Sequence, residues 1–339
     1  ELRLTIQTTV AMILEQTFLH FLLDHQNKNN RSFNFVILME SIITAARCIQ
    51  ARYLTGAVTK DLENTDLKNS QGETQTKFDH IAQEILLHYL KQSEQVVEAI
   101  SEESEQPIRL NETGRYLVYF DPLDGSANVQ SSMPVGIMFG IAKRNLVGPE
   151  DFHLRSGKEF IAAGMFIIPA GLFVFAIKDS GAWRFLFDSS GNVLRPEKLV
   201  LPENPKSWEL SWNASYTKAF SEPIKNWLEQ ESDHYSFRYA GSFAVDFHRL
   251  LHKGGLFLYP KLLNFKDPKR NKPDGKLRLI YECAVAAFIA EQAGGAAIDE
   301  NGTAITEIIP QELHQRSSIL IGNKSLIKSY LLSSGLKAR

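Results

Sequence analysis

Apolar residues early in the chain recur at helical spacing. Val10, Ile13, Leu14, Phe18 and Phe21 form one series, and Leu38, Ile42, Ala45, Ala46 and Ile49 a second. Between them His25 to Ser32 carries the turn-formers Asn27, Asn29 and Asn30 and predicts a loop. Lys60 to Glu73 is polar and short of large apolar groups, which predicts a mobile surface loop. Phe78, Ile81, Ile85 and Tyr89 then predict a third helix. After this the texture changes to short apolar runs rich in β-formers: Val96–Ile100, Tyr116–Phe120, Val135–Ala142, Phe160–Ile168, Leu172–Ile177 and Trp183–Phe187. The proline-containing stretch from Arg195 to Pro205 is the candidate boundary. Beyond it, a helix capped by Ser242, a strand at Gly255–Tyr259, a helix through Leu277, Tyr281, Ala284, Val285 and Phe288 ending near Gly294 and Gly295, a strand at Ser318–Ile321 and a C-terminal helix alternate. The pattern predicts an α/β protein of mixed α+β character, with an N-terminal α+β unit over residues 1–200 and an α/β unit over 201–339.

Composition narrows the function classes. Of 339 residues, 44% are hydrophobic and 22% charged, ordinary values for a globular protein, and no apolar run reads as long enough to cross a bilayer. A formal net charge of −2 gives no global signal for nucleic acid, and the Lys143-Arg144 pair is too small to be a patch for it. A phosphorylated partner has to be held by local basic residues. The two cysteines, Cys48 and Cys283, lie in apolar stretches and read as buried thiols of a reducing compartment, which points to the cytoplasm. Asn111-Glu-Thr, Asn213-Ala-Ser and Asn301-Gly-Thr match a glycosylation pattern. They are expected to be unmodified, because the first segment, with Glu15 and His20 among its apolar residues, does not read as a secretory leader.

The densest chemistry lies in Ser101-Glu-Glu-Ser and Phe120-Asp-Pro-Leu-Asp-Gly-Ser. Glu102, Glu103, Asp121 and Asp124 each follow a predicted strand, and such ends converge on one crevice in open sheets. Crowded carboxylates repel unless cations neutralise them, and hard oxygen ligands suit Mg²⁺ or Mn²⁺. Gly125 allows close backbone approach, and a helix beginning near Ser126 would favour a phosphate. Arg238, Tyr239, Tyr259, Lys276 and Arg278 supply cations and hydroxyls near element ends, as a second phosphate anchor would require. His248 and His252 stand four apart on a predicted helix, yet no third ligand of that kind accompanies them, and they read as structural.

The Asp-Pro-Leu-Asp-Gly-Ser stretch with Asn128 resembles the signature of the class 1 fructose-1,6-bisphosphatases, whose core is shared with the inositol-phosphatase superfamily. Further blocks resemble that family in its own order: Gln71-Gly-Glu-Thr-Gln-Thr-Lys-Phe-Asp79, Arg238-Tyr-Ala-Gly-Ser, Gly254-Gly-Leu-Phe-Leu-Tyr-Pro and Gly275-Lys-Leu-Arg-Leu-Ile-Tyr-Glu. They span about residues 70 to 295. The resemblance implies a layered αβαβα fold and metal-dependent hydrolysis of the 1-phosphate of fructose 1,6-bisphosphate. It implies more than one Mg²⁺ per site, with Mn²⁺ or Zn²⁺ as alternatives, held by Glu102, Asp121, Asp124, Glu282 and the carbonyl of Leu123. Asp79 and Glu103 would orient or activate water, and Glu73 would close over the metals. Asn213, Tyr216, Tyr239 and Tyr259 would hold the 6-phosphate, joined by Arg238 from a neighbouring subunit of a homotetramer. Lys276 would meet the sugar, and Arg278 the 1-phosphate together with the backbone of Gly125 and Ser126.

The chain also departs from that family. The Gly-Glu-Met-Thr loop on which many members bind AMP aligns with Ser32-Phe-Asn-Phe-Val36, although Arg115-Tyr116 resembles the Lys-Tyr pair of the same site. Lys143 stands where Arg is common, Phe243 where Met is, and Gln130 where Asp is. The implied consequence is weak or absent AMP inhibition. The cysteine pair of the light-regulated chloroplast form is not evident. Two rival functions stand beside the main one. A sedoheptulose-1,7-bisphosphatase would use similar chemistry. A non-catalytic sugar-phosphate sensor would have no use for crowded acids.

Overall fold

The computed structural model describes residues 17–29, 32–59, 61–62, 64–68, 74–145, 153–188, 193–203 and 208–336. The expected helix residues Val10, Ile13 and Leu14, half of the Lys60–Glu73 loop and Glu73 itself lie outside them, and the described part of that loop holds a strand, Asn64–Lys68.

Three helices open the chain: α1 (Phe18–Asn29), α2 (Phe33–Thr59) and α3 (Lys77–Gln92). A hairpin, β1 (Asn64–Lys68) and β2 (Thr74–Thr76), precedes α3. The strands that follow are β3 (Val96–Ser101), β4 (Ile108–Arg109), β5 (Tyr116–Asp124), β6 (Val135–Lys143), β7 (Phe160–Ile168), β8 (Leu172–Ile177), β9 (Gly181–Phe187) and β10 (Val193–Leu199). They form one sheet in the order β10-β9-β8-β7-β6-β5-β3-β4, antiparallel except where β3 runs parallel to β5. Its strands read as unbroken apolar runs because both faces are covered. Along β5, Tyr116, Val118 and Phe120 face the helices α1–α3, while Leu117 and Tyr119 face the other core.

A second sheet takes β11 (Trp208–Ser211), β12 (Tyr235–Phe237), β13 (Gly255–Tyr259), β15 (Ala296–Ile298) and β17 (Ile319–Gly322), in the order β12-β11-β13-β17-β15. The short pair β14 (Leu277–Arg278) and β16 (Arg316–Ser317) lies apart from it. The same alternation sorts its residues: Phe257 and Tyr259 face inward, Leu256 and Leu258 outward. Between the two sheets lie α5 (Phe243–Lys253) and α6 (Ala284–Gln292). On the outer face are α4 (Glu222–Glu231) and α7 (Lys324–Ser334). The layers are therefore αβαβα, as the resemblance implies.

Several elements differ from the sequence pattern. The helix α1 runs to Asn29, so most of the asparagine-rich loop is its last turn. Pro196, in the candidate boundary stretch, falls in the edge strand β10, where the register shifts between Leu194 and Glu197 and an edge position tolerates a missing N–H. Leu277 starts a short strand rather than a helix. The chain then passes through a π-turn, Leu279–Cys283, before α6 begins. The sequence reading had no place for α4, although Ile224, Trp227 and Leu228 line one face of it at helical spacing. It also excluded any membrane-length run, yet Phe33–Gly56 of α2 is long and apolar enough by length and composition. Half of its apolar window is buried, and Leu38, Met39, Ile42, Ala45 and Ile49 pack it on the first sheet, which accounts for that composition.

The join between the first sheet and α5 is tight. Gly136 on β6 faces Ala244, and a Cβ on Gly136 would stand 2.4 Å from the Ala244 Cβ. Gly136→Ala is expected to lower the unfolding free energy in urea by about 1–3 kcal/mol through overpacking. A loss below about 0.5 kcal/mol would show that α5 can give way here.

Candidate active site

At the start of α3, Asp79 closes a capping box with Thr76. Its Oδ2 accepts the Thr76 N–H at 2.6 Å and the Thr76 hydroxyl at 2.7 Å, and its own N–H donates to Thr76 Oγ1 at 3.2 Å. Burial pushes this carboxyl up to about 6, against the Thr76 bonds and with help from the charge of Glu102.

The strand β5 does not stop at Phe120. It continues to Asp124, with Asp121 opposite Met138 and Asp124 opposite Gly136, so one extra residue is bulged between them. Residues three apart in a strand point to opposite faces, and the bulge restores both to the same one. Asp121 Oδ1 accepts the Leu123 N–H at 2.8 Å. The Asp124 carboxylate sits on the N-terminus of α5, accepting from the Phe243 N–H at 3.2 Å, the Ala244 N–H at 2.7 Å and the Ser242 hydroxyl. That end of a helix favours negative charge. Gly125 follows at φ +84°, and a Cβ there would meet the Ser242 Cβ at 2.5 Å, so glycine lets the turn close on the helix. Glu282 projects from the π-turn, where its Oε2 accepts the Arg278 N–H at 2.6 Å.

Asp121, Asp124 and Glu282 are all buried, and each offers an oxygen within 4.8 Å of the others. Burial first, then the charges of Glu102 and of one another, holds Asp121 and Glu282 well above the ordinary carboxylate range. Asp124 is raised too, chiefly by burial, against its three donors. A compact all-oxygen set under this repulsion fits a hard divalent cation.

These acids line a cavity of about 200 Å³ that Asp79, Glu102, Glu103, Leu123, Gly125 and Ser126 also line. Tyr239, Tyr259 and Lys276 line it too, with the Lys276 Nζ 5.5 Å from the Tyr259 ring centre. The Tyr259 hydroxyl is buried within reach of the Tyr239 and Tyr216 hydroxyls, and burial raises it far above its ordinary range. Burial, then the charge of Asp246, pushes Tyr239 up to about 12, so both phenols stay protonated donors at neutral pH.

The remaining expected residues stand outside the cavity wall. Tyr216 packs on Tyr259 with ring centres 6.0 Å apart, and Asn213 lies within hydrogen-bonding reach of Tyr239. Arg238 is exposed, its Nη1 donating to the Phe237 carbonyl. Arg278, expected to meet a phosphate directly, is 1% exposed, with Nε 3.3 Å from Glu102 Oε1. It braces the acid cluster from behind. His248 and His252 lie away from this cavity, and burial lowers His248 to about 4, which suits a structural role.

Three contributors were not singled out as site residues from sequence. Arg316 lines the cavity from β16 and donates to the Lys276 carbonyl. Ser242 was read only as a cap. Asp246 accepts the N–H groups of Ala240 and Gly241 and so pins the segment carrying Tyr239. Its place one turn into α5, just after Ser242, was the available signal.

The sequence matches the family described as "Fructose-1-6-bisphosphatase, N-terminal domain" over residues 16–195, and its C-terminal counterpart over 201–332. The chain belongs to the fructose-1,6-bisphosphatase family. The class 1 fructose-1,6-bisphosphatase of Syntrophus aciditrophicus (strain SB) is 52% identical over 318 residues, covering 92% of this chain and 96% of that protein. The class 1 enzyme of Amoebophilus asiaticus (strain 5a2) is 35% identical over 305 residues, 87% of this chain and 88% of its own. The holo crystal structure of Leishmania major fructose-1,6-bisphosphatase matches with a TM-score of 0.86 at 28% identity, covering 95% of this chain and 99% of that one.

For this member of the fructose-1,6-bisphosphatase family the raised carboxyls carry a sign. A carboxyl whose folded value exceeds its unfolded value favours folding below the ordinary carboxylate range of about 4 and loses that contribution as pH rises through the folded value. Metal-free protein is therefore expected to melt at falling temperature as pH rises from about 4 through 6 and beyond. Mg²⁺ or Mn²⁺ should reverse the fall most at high pH. Asp121→Asn should raise the metal-free melting temperature and abolish the metal response. A metal response surviving in that variant would place the cation elsewhere.

Proposed function

We propose that the chain hydrolyses the 1-phosphate of D-fructose 1,6-bisphosphate, giving fructose 6-phosphate and phosphate, the gluconeogenic reaction. The observation that carries this reading is one cavity lined both by a crowded, buried acid cluster and by two phenols with a lysine. Glu102, Asp121, Asp124, Glu282 and the Leu123 carbonyl would hold the cations. We take these to be Mg²⁺, more than one, with Mn²⁺ or Zn²⁺ able to replace it. When bound, they neutralise the acids, polarise the phosphoryl group and acidify water.

The chain's own residues do the rest. Gly125 and Ser126 offer backbone N–H groups to the 1-phosphate. Lys276 contacts the sugar, and Tyr239 and Tyr259, backed by Tyr216 and Asn213, donate hydroxyl bonds to the 6-phosphate. Asp79, fixed on Oδ2 by Thr76, and Glu103 orient the attacking water and take its proton. The water oxygen bonds to phosphorus, and the bond from phosphorus to the sugar oxygen breaks with its electron pair on that oxygen. Arg278, paired with Glu102, would hold that acid in place and reach the 1-phosphate beside Gly125 and Ser126. Arg238, exposed here, would serve a neighbouring subunit in a homotetramer. The division into units of 1–200 and 201–339, and a cytoplasmic setting suited to the two free thiols, complete the reading.

Regulation follows from α2. Phe35 is buried against Tyr116 and Phe175, ring centres 6.2 and 6.4 Å apart, and Phe33 is exposed at the helix start. A helix opening at Ser32 without glycine, with Phe35 occupying the space beside Tyr116, is a poor nucleotide pocket. Steady-state rates across an AMP series should show weak inhibition or none, and sigmoidal inhibition at low micromolar AMP would refute this.

A phosphate-release assay over six- and seven-carbon bisphosphates and their monophosphates, with and without Mg²⁺, tests the function. Fructose 1,6-bisphosphate should give the highest kcat/KM, and chelation should abolish turnover. A preference for the seven-carbon substrate would replace the assignment, and binding without turnover would make the protein a sensor. In the same assay Asp79→Asn and Glu103→Gln should lower kcat by about 10²–10⁴-fold at little-changed KM. Raised KM at normal kcat would make them substrate anchors.

A further inference from the structure

We propose that the segment between Tyr259 and Lys276, together with Lys218, is an electrostatic guide for the substrate's second phosphate, acting at the Tyr259 wall of the cavity through Tyr216. The inference rests on the reading that the substrate is a sugar bisphosphate.

From Lys261 to Lys276 the chain carries six basic residues against two acidic ones, Asp267 and Asp274, in a protein of net charge −2. The segment is stitched down. Leu262 and Lys272 exchange backbone bonds of 3.1 and 2.7 Å, the Leu263 N–H donates to the Ala219 carbonyl at 2.9 Å, and the Phe265 N–H donates to Asn271 Oδ1 at 3.0 Å. These bonds bury Phe265, whose ring meets Tyr216 edge to face at 5.8 Å. Tyr216 in turn packs on Tyr259, which lines the cavity.

Two cations from different parts of the chain lie against that one ring. The Arg270 guanidinium is 4.2 Å and the Lys218 Nζ 5.8 Å from the Phe265 centre. Aromatic faces hold cations without neutralising them. Neither residue makes an ion pair among the described residues, so their charge stays available to the cleft. Lys276 repeats the arrangement over Tyr259. The cavity thus carries buried, cation-seeking acids in its lining and a basic surface behind its Tyr259 wall. A ligand with two phosphates is drawn in with one orientation. Exposed charges act through screening water, so the effect must fade with salt.

The test uses full-length, metal-loaded protein and the double variant K218Q/R270Q, which leaves every cavity-lining side chain in place. At low ionic strength kcat/KM for fructose 1,6-bisphosphate should fall about 5–20-fold through KM, with kcat unchanged. The dependence of log kcat/KM on ionic strength should flatten. K218R/R270K should restore both. Calorimetric binding of fructose 6-phosphate should weaken by a similar factor, a readout that does not need turnover. A salt dependence parallel to wild type, or unchanged binding of the monophosphate, would make these residues solvated surface charge and overturn the guide. Absence of turnover in the wild type would sink the substrate reading, while calorimetry would still judge the guide.

Discussion

Carboxylates forced together away from water repel one another, and each gives up hydration. Asp121, Asp124 and Glu282 share a space less than 5 Å across, with Glu102 beside them. Much of the surrounding structure is arranged to keep them there. Backbone N–H groups from Leu123, Phe243, Ala244 and Arg278 each point at one of the acids. Those donors come from a strand bulge, a helix N-terminus and a strand end leading into a π-turn, three irregular or terminal features converging at one point. Irregular backbone is costly unless its groups are satisfied, and here the acids satisfy it. The cations that the cluster selects remove the remaining repulsion, which is why metal and stability are coupled in this account.

The layering explains how distant segments meet. The α5 helix is sandwiched between the two sheets, so its N-terminus reaches Asp124 while its first-turn residue Asp246 holds the segment bearing Tyr239. One short helix therefore holds both an acid and the tyrosine segment of the cleft wall. The contact of Gly136 with Ala244 sets its height above β6. The ring series Tyr259, Tyr216 and Phe265 carries the wall outward to a basic surface.

The sequence displayed its strongest patterns where burial is two-sided or periodic. β6, β7 and β8 are apolar throughout because helices cover both faces of their sheet, and their limits were legible to within a residue. Elements whose stability is tertiary were not. β11 is four residues long and the β14–β16 pair two each, too short to show a period. The strand at Pro196 went unread because a proline in an edge strand is invisible to local pattern. The acids were legible as chemistry, since four carboxylates beside strand ends need a counter-charge. Their mutual placement was not, because it depends on one bulged residue between Asp121 and Asp124. Arg316 was missed because its strand partner lies almost forty residues away in sequence, and nothing nearby marks it.

The proposed reaction rests on one division of labour: the acids direct water to the phosphorus of one phosphate while the phenols and Lys276 retain the other. Phosphorus NMR of a reaction run in oxygen-18 water with Mg²⁺ tests it most directly. The predicted result is loss of the 1-phosphate resonance, survival of the 6-phosphate, and a single heavy oxygen in the released phosphate. Loss of the 6-phosphate, or heavy oxygen appearing on the sugar, would contradict it.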